Sequence, residues 1–319
     1  MATTYPALIV AFARQDGLER LIAAGLEAGI TKFYIAIDGP KNHTHRETQS
    51  RMKSYLDHIR KIKEVNIQVW QRDVNLGAAV SVLTAVNWFL ANEEAGFILE
   101  DDLIPTMDFF NFASLALDFY RDNSEVWLVA GSRMNPESKS TSASEWSHYP
   151  MIWGWATWAS KWAVMSTKLI EIETPGLRNF FSKRVNFWRT GALRAQRGLL
   201  DAWDIPLAYA QIRENKLTVI PPVNLVTNIG FDSEATHTSG EVYPLNHPTR
   251  TLKSDAQLST SYSHREAQIY DKTLEEVLFK IRFHHSFLRF YGPLFDFFKS
   301  RKVSRGYLKD RLAQVIPPE

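Results

Sequence analysis

The sequence contains no cysteine, which excludes disulfides, thiolate metal sites and a cysteine nucleophile. It has little net charge: 37 Lys and Arg against 35 Asp and Glu leave a formal +2, and nothing in that balance argues for nucleic-acid binding. No uninterrupted apolar run reaches the ~20 residues a membrane-spanning helix needs. The opening "MATTYPALIVAFARQDG" lacks a basic segment followed by an apolar one, so no secretory leader is expected. Two nucleotide motifs are also missing. Without G-x-x-x-x-G-K-[ST] the P-loop reading falls away, and without G-x-G-x-x-G a Rossmann dinucleotide site has no support. The expectation is a cytoplasmic protein, soluble or held peripherally on the inner face of the cell membrane.

What is present is an ordered globular composition over 319 residues, 45% hydrophobic and 23% charged, enough for one large domain or a domain plus an extension. Strand-like and helix-like patterns alternate. "ALIVAFA" is apolar and β-rich, "GLERLIAAGLEAG" has helical spacing and stops at Gly29, and "KFYIAIDGP" is a second strand broken by Gly39-Pro40. A polar helix to about Lys63, the strand "NIQVWQRD", a helix from about Leu76 to Asn92 and the strand "GFILE" follow, then the helix "MDFFNFASLALDFY" and the strand "VWLVAGS". This alternation predicts βαβ units and a largely parallel sheet. The second half is less regular: a Ser/Thr-rich stretch at Met134–Tyr149, the tryptophan-rich "MIWGWATWASKW", a helix around Leu199 to Asn215, and the strand-like "LTVIPPVNLVTNIGF".

The chemistry concentrates in "AGFILEDDLIP", where Glu100, Asp101 and Asp102 follow an apolar run. Adjacent carboxylates repel unless a cation or donors compensate them, and the carboxyl ends of strands in open α/β sheets are where ligands collect. A divalent metal, Mn2+ or Mg2+, is the simplest remedy. Such a metal could bridge the protein to a nucleotide diphosphate and stabilise its departure as a Lewis acid.

These residues carry a family resemblance. Through "PALIVAFARQDGLERL", "IAIDG", "GFILEDDLIPTMDFFNF", "VWLVAG", "WGWATW", "AWD" and "IPPVNLVTNIGF", roughly Pro6 to His237, the chain resembles the GT-A-fold glycosyltransferases, in particular the N-acetylglucosaminyltransferase I type and related bacterial proteins. The resemblance implies a mostly parallel twisted α/β sheet flanked by helices, with a helical C-terminal extension. It divides the chain into a catalytic domain over 1–240 (nucleotide part about 1–105, acceptor part about 106–240) and an extension over 241–319. It implies an inverting, metal-dependent transferase that moves a sugar from a nucleotide-diphosphate sugar, a UDP-sugar by preference, to a glycan or lipid-linked acceptor in surface polysaccharide synthesis.

Residue by residue, the resemblance places the metal on Asp102 in this D-x-D-type motif, with His237 as a further metal or phosphate contact. Glu100 and Asp101 face nucleotide and sugar, Asp38 the base, and Arg14 the phosphates. Arg72 and Asn75 lie on a loop before a helix whose amides could help bind phosphate. The base that deprotonates the acceptor is Asp204, with Asp201 as the alternative; the spacing puts both on one helix face. The family block reads Trp-Asp-Asp, whereas here Trp203-Asp204 is followed by Ile205. Trp155, Trp158 and Trp162 recur at helical spacing; Trp153, Gly154 and Trp155 are expected to line the sugar pocket, and Trp158 and Trp162 to be core.

Each of these residues also has a plainer reading, as turn former, helix cap or packing residue. Two other classes compete: a sugar nucleotidyltransferase, which usually has a Gly-rich phosphate loop near its start, and a sugar-binding module without catalysis. The tail from Leu278 to Arg305 holds seven Lys and Arg against one Asp, with an aromatic stripe of Phe279, Phe283, Phe287 and Phe290. A basic amphipathic stretch fits an anionic bilayer surface; packing on the catalytic domain or on a second subunit, as a homodimer, is the other option.

Overall fold

The computed structural model describes residues 5–134, 143–172, 183–230, 246–283 and 306–318. The first half alternates as the pattern predicts: β1 (Ala7–Ala11), α1 (Gln15–Glu27), β2 (Lys32–Ile37), α2 (His43–Ile62), β3 (Asn66–Gln71), α3 (Ala78–Asn92) and β4 (Ala95–Glu100). A short β5 (Leu103–Pro105) leads into α4 (Met107–Phe119) and β6 (Val126–Ala130). Then come β7 (Glu145–Ser147), β8 (Trp155–Trp158), α5 (Ala159–Ile170), α6 (Lys183–Gln196), α7 (Asp204–Arg213), β9 (Leu217–Ile220), β10 (Val226–Asn228), α8 (His264–Phe283) and α9 (Tyr307–Gln314).

Eight strands form one sheet in the order β3-β2-β1-β4-β8-β6-β9-β7, and β5 pairs with β10 in a separate ribbon. β3, β2, β1 and β4 run parallel, as do β6 and β9; β8 and β7 run against their neighbours. The fold is therefore α/β with a mostly parallel central sheet flanked by helices. All five residues of β1 are buried, the unbroken apolar reading of a strand covered on both faces. One face carries α1, α2 and α4 through Leu18, Met52 and Phe110; the other carries α3, α5 and α7 through Val82, Trp162 and Leu207. α3 is buried almost all round, as an apolar helix between layers must be.

The second half departs from the pattern in three places. "WATW" is not the start of a helix: it is β8, threaded antiparallel between β4 and β6. Trp155 and Trp158, three apart on a strand, therefore fall on opposite faces and in different core clusters. The helix expected from Leu199 begins only at Asp204, so Asp201 and Asp204 do not share a helix face. Pro221 and Pro222 divide the single strand expected over 217–231 into β9 and β10.

The described parts of residues 241–319 pack into the body. Asp271 of α8, 1% exposed, accepts from Ser147 Oγ (2.6 Å) and pairs with His148 Nδ1 (2.7 Å), while Tyr149 donates to Glu275 (2.6 Å). Ala267 and Leu274 are buried in the core, and Leu308 of α9 is buried with residues of α3. The side chains of the Phe stripe and of the basic cluster Lys299–Arg305 lie outside the described residues. No helix among the described residues is long and apolar enough to cross a membrane.

Candidate active site at the carboxyl edge of the sheet

The carboxyl ends of β1, β2 and β4 meet at one edge, and the acidic triplet stands there. Asp101 N extends the ladder to Val10 O (3.1 Å), while its Oδ2 accepts from Phe12 N (2.8 Å). The first turn of α1 rests on this point: a Cβ on Gly17 would lie 1.9 Å from Asp101 O. Arg14, at the end of the three-residue link from β1 to α1, reaches Asp101 Oδ1 at 3.5 Å and Asp102 Oδ2 at 3.7 Å. One guanidinium thus serves two carboxylates.

The electrostatics are under-compensated. Burial first, then the charges of Asp102, Asp101 and Asp204, push the Glu100 carboxyl well above the usual range. Burial raises Asp101 to about 6, with the Phe12 N–H opposing and Asp102 adding to the rise. Asp204, the first residue of α7, is among the charges that act on Glu100 although the two are remote in sequence. Asp102 is more open than Asp101, with side chains 23% and 9% exposed. The strand β10 delivers Gly230 against it: a Cβ there would lie 2.2 Å from Asp102 Oδ2, and Ile229 N donates to Asp102 O (2.8 Å).

Other expected site residues are committed to the protein itself. Asp38 is buried and accepts from Gly39 N (2.9 Å), Asn75 Nδ2 (2.9 Å) and Leu76 N (3.0 Å), so its carboxylate holds the loop after β3. Burial raises its pKa, against the lowering effect of those amides. Arg72 turns into α3, donating to Ser81 Oγ (3.2 Å), Ser81 O (3.1 Å) and Thr84 Oγ1 (2.8 Å) with its guanidinium over Trp70. Burial lowers its pKa to about 10. Asp201, the alternative base, has both oxygens on backbone amides: they accept from Ala78 N (2.9 Å) and Ala79 N (2.8 Å), capping α3 from another part of the chain.

The tryptophan block is mainly packing. Trp155 is 1% exposed and stacks on Trp203, with ring centroids 5.9 Å apart. Gly154 has φ +63°, and a Cβ there would meet Val226 at 2.8 Å, so its lack of a side chain serves core packing. Trp153 is half-buried against the core. His237 lies outside the described residues. The sequence reading missed Gln49, whose buried amide donates to Phe12 O and Asp38 O at 2.8 Å each and ties the ends of β1 and β2 together. A signal existed: Gln49 is the one polar position on the stripe Gln49, Met52, Leu56, Ile59 that α2 buries.

No three His, Asp or Glu side chains among the described residues converge closely enough to cage a metal by themselves. Magnesium-like ions usually take one or two carboxylates and complete their shell with water and substrate phosphate. An excess of carboxylate over cation, with Asp102 partly open, fits that mode.

No family model matches the chain, and no curated protein matches it. Among solved structures it is similar to 4-diphosphocytidyl-2C-methyl-D-erythritol synthase from Anaerococcus prevotii DSM 20548 (10% identity, TM-score 0.35, 56% of this chain and 82% of that one). It is also similar to the inositol-1-phosphate CTP transferase from T. maritima (13%, TM-score 0.32, 59% and 83%) and to a UDP-glucose pyrophosphorylase complexed with UDP-glucose (9%, TM-score 0.38, 68% and 90%). Likeness this slight says nothing about activity.

Proposed function

We propose that this chain is an enzyme acting on a nucleotide-diphosphate sugar, and that it transfers the sugar with inversion to a hydroxyl acceptor. The observation that carries the reading is the meeting of Glu100, Asp101, Asp102 and Arg14 at the carboxyl edge of the sheet, with Asp204 close enough for its charge to act on Glu100. Asp102 would hold the Mn2+ or Mg2+, which when bound supplies Lewis-acid stabilisation of the leaving diphosphate. Arg14 offsets phosphate charge from the β1–α1 link. Asp101 fixes that link through the Phe12 amide. Glu100, beside the cation that Asp102 would hold, faces the nucleotide and the sugar. Asp204 takes the proton of the acceptor hydroxyl as its oxygen attacks the anomeric carbon. The anomeric C–O bond then breaks and its electron pair leaves with the nucleoside diphosphate.

The finer parts belong to the same reading: a UDP-sugar donor, a glycan or lipid-linked acceptor, His237 as an added contact, and a tail that meets an anionic membrane surface. A sugar nucleotidyltransferase, which would join a metal and a nucleotide on the same acidic edge of an α/β sheet, is the second reading. The β1–α1 link speaks against it. That link is Phe12-Ala13-Arg14, with no glycine, and its Phe12 amide is already taken by Asp101. Incubating the protein with manganese and a panel of nucleotide sugars separates the readings. Slow release of free sugar and nucleoside diphosphate supports the transferase. Pyrophosphate released from a nucleoside triphosphate and a sugar 1-phosphate supports the alternative and overturns the first.

A further inference from the structure

Asp201 and Asp204 flank two residues, yet they lead to different parts of the molecule. Asp201 sends both carboxylate oxygens to the first amides of α3, 2.9 Å from Ala78 N and 2.8 Å from Ala79 N, across more than 120 positions of sequence. The fit is close. Gly77 has φ +82°, a conformation glycine takes at little cost, and a Cβ on it would lie 2.6 Å from Asp201 Oδ2. The loop that ends in this contact is pinned at two further points: Arg72 at its start is bonded into α3, and Asn75 and Leu76 in its middle are held by Asp38. On the other side, Trp203 is 4% exposed and stacks on Trp155 of β8. The chain from 201 to 203 is therefore anchored twice, once on the loop leading into α3 and once on the sheet. Asp204 is the next residue and begins α7.

We infer that Asp201 is a positioning residue, which sets the place of the Asp204 carboxylate by tying the start of α7 to the loop 72–77 and the N-terminus of α3. This rests on the transferase reading, in which Asp204 is the base. It assigns Asp201 no contact with substrate. It also couples the two halves of the reaction, because the loop that Asp38 holds on the donor side is joined by one carboxylate to the segment that carries the base on the acceptor side. A charged cap with both oxygens engaged is shorter and stiffer than a neutral one. Loosening it moves the base while leaving Glu100–Asp102 and Arg14 as they are.

The test is a double-mutant cycle on the full chain. Asp201→Asn keeps one acceptor oxygen and the volume but loses the charge and the second bond. Asp201→Ser is made alongside it as a smaller neutral residue, in case the asparagine variant does not fold. Turnover should fall on the order of tenfold to a hundredfold, the scale of a misplaced catalytic group, while nucleotide-sugar affinity by calorimetry stays within about twofold. In the Asp204→Asn background the same substitution should cost less than about twofold, because residues acting as one unit are strongly non-additive. Equal losses in both backgrounds, or full turnover in Asp201→Asn, would overturn the assignment and leave Asp201 a helix cap. A wild-type protein that binds and turns over no nucleotide sugar would instead sink the transferase reading, and this inference with it.

Discussion

Replacing Asp101 by asparagine should make the ligand-free protein more stable at neutral pH, and the gain should vanish in acid. Burial raises Asp101 to about 6 in the folded chain, against about 4 for an unfolded aspartate. Between those values the folded state binds more protons than the unfolded state, so stability falls as pH rises from about 4 to 6 and stays reduced above. A separation of that size is worth up to ~3 kcal/mol at pH 7.5. Asparagine removes the charge yet can still accept from Phe12 N, which donates to the carboxylate at 2.8 Å. Arg14, 3.5 Å from Oδ1, loses an attraction, but that effect already opposes the rise. The expected gain is thus ~1–3 kcal/mol at pH 7.5 and near zero at pH 4. Urea unfolding of wild type and Asp101→Asn at both pH values measures it. A variant that is no more stable at pH 7.5, or whose gain is the same at pH 4, would refute the claim that burying the Asp101 charge strains the acidic edge. Such strain is the usual companion of a site built for a ligand.

Asp204→Asn should lower sugar transfer at least ~100-fold, the scale of a positioned general base, with donor affinity near wild type; a transfer rate within about threefold of wild type would remove it from the role. Arg72→Met should lower stability on the order of 3 kcal/mol, since it removes three buried bonds, to Ser81 Oγ, Ser81 O and Thr84 Oγ1; unchanged unfolding with a raised donor KM would return Arg72 to the nucleotide. Ending the chain after Tyr270 should abolish cooperative unfolding, because it removes Asp271 from Ser147 and His148 and takes Leu274 out of the core. A truncated protein that keeps its fold and leaves anionic liposomes would show instead that the tail's work is at a membrane.

The first half of the fold was legible because its signals are local. β1, β2 and β4 are apolar runs, α1 ends at Gly29 with φ +85°, and the acids follow the last apolar residue of β4. The second half depends on partners distant in sequence. "WATW" has a spacing that suits a helix, and only the gap between β4 and β6 makes it a strand. Asp201 looked like a second helix-start acid; nothing near it in sequence announces that its partners are Ala78 and Ala79. Arg72 and Asp38 have the residue types of a nucleotide site, yet burial and hydrogen-bonding neighbours commit both to the loop 72–77. Asp271 is 1% exposed, since Ser147 and His148 supply its donors from more than 120 residues away. Residue type at the sheet edge was readable; which groups the fold would consume for itself was not.

The central claim is that the edge bearing Glu100, Asp101 and Asp102 binds a nucleotide sugar with a divalent cation. Calorimetric titration of UDP-sugars into wild type and Asp102→Asn, each with and without manganese, tests it most directly. Carboxylate-to-amide replacement removes the charge that a hard cation requires, and Asp102 is open enough for the exchange to spare the fold, with its side chain 23% exposed. The account predicts manganese-dependent binding in wild type and none in Asp102→Asn, at equal thermal stability. Binding that is the same in both proteins, or that needs no metal in either, would contradict it.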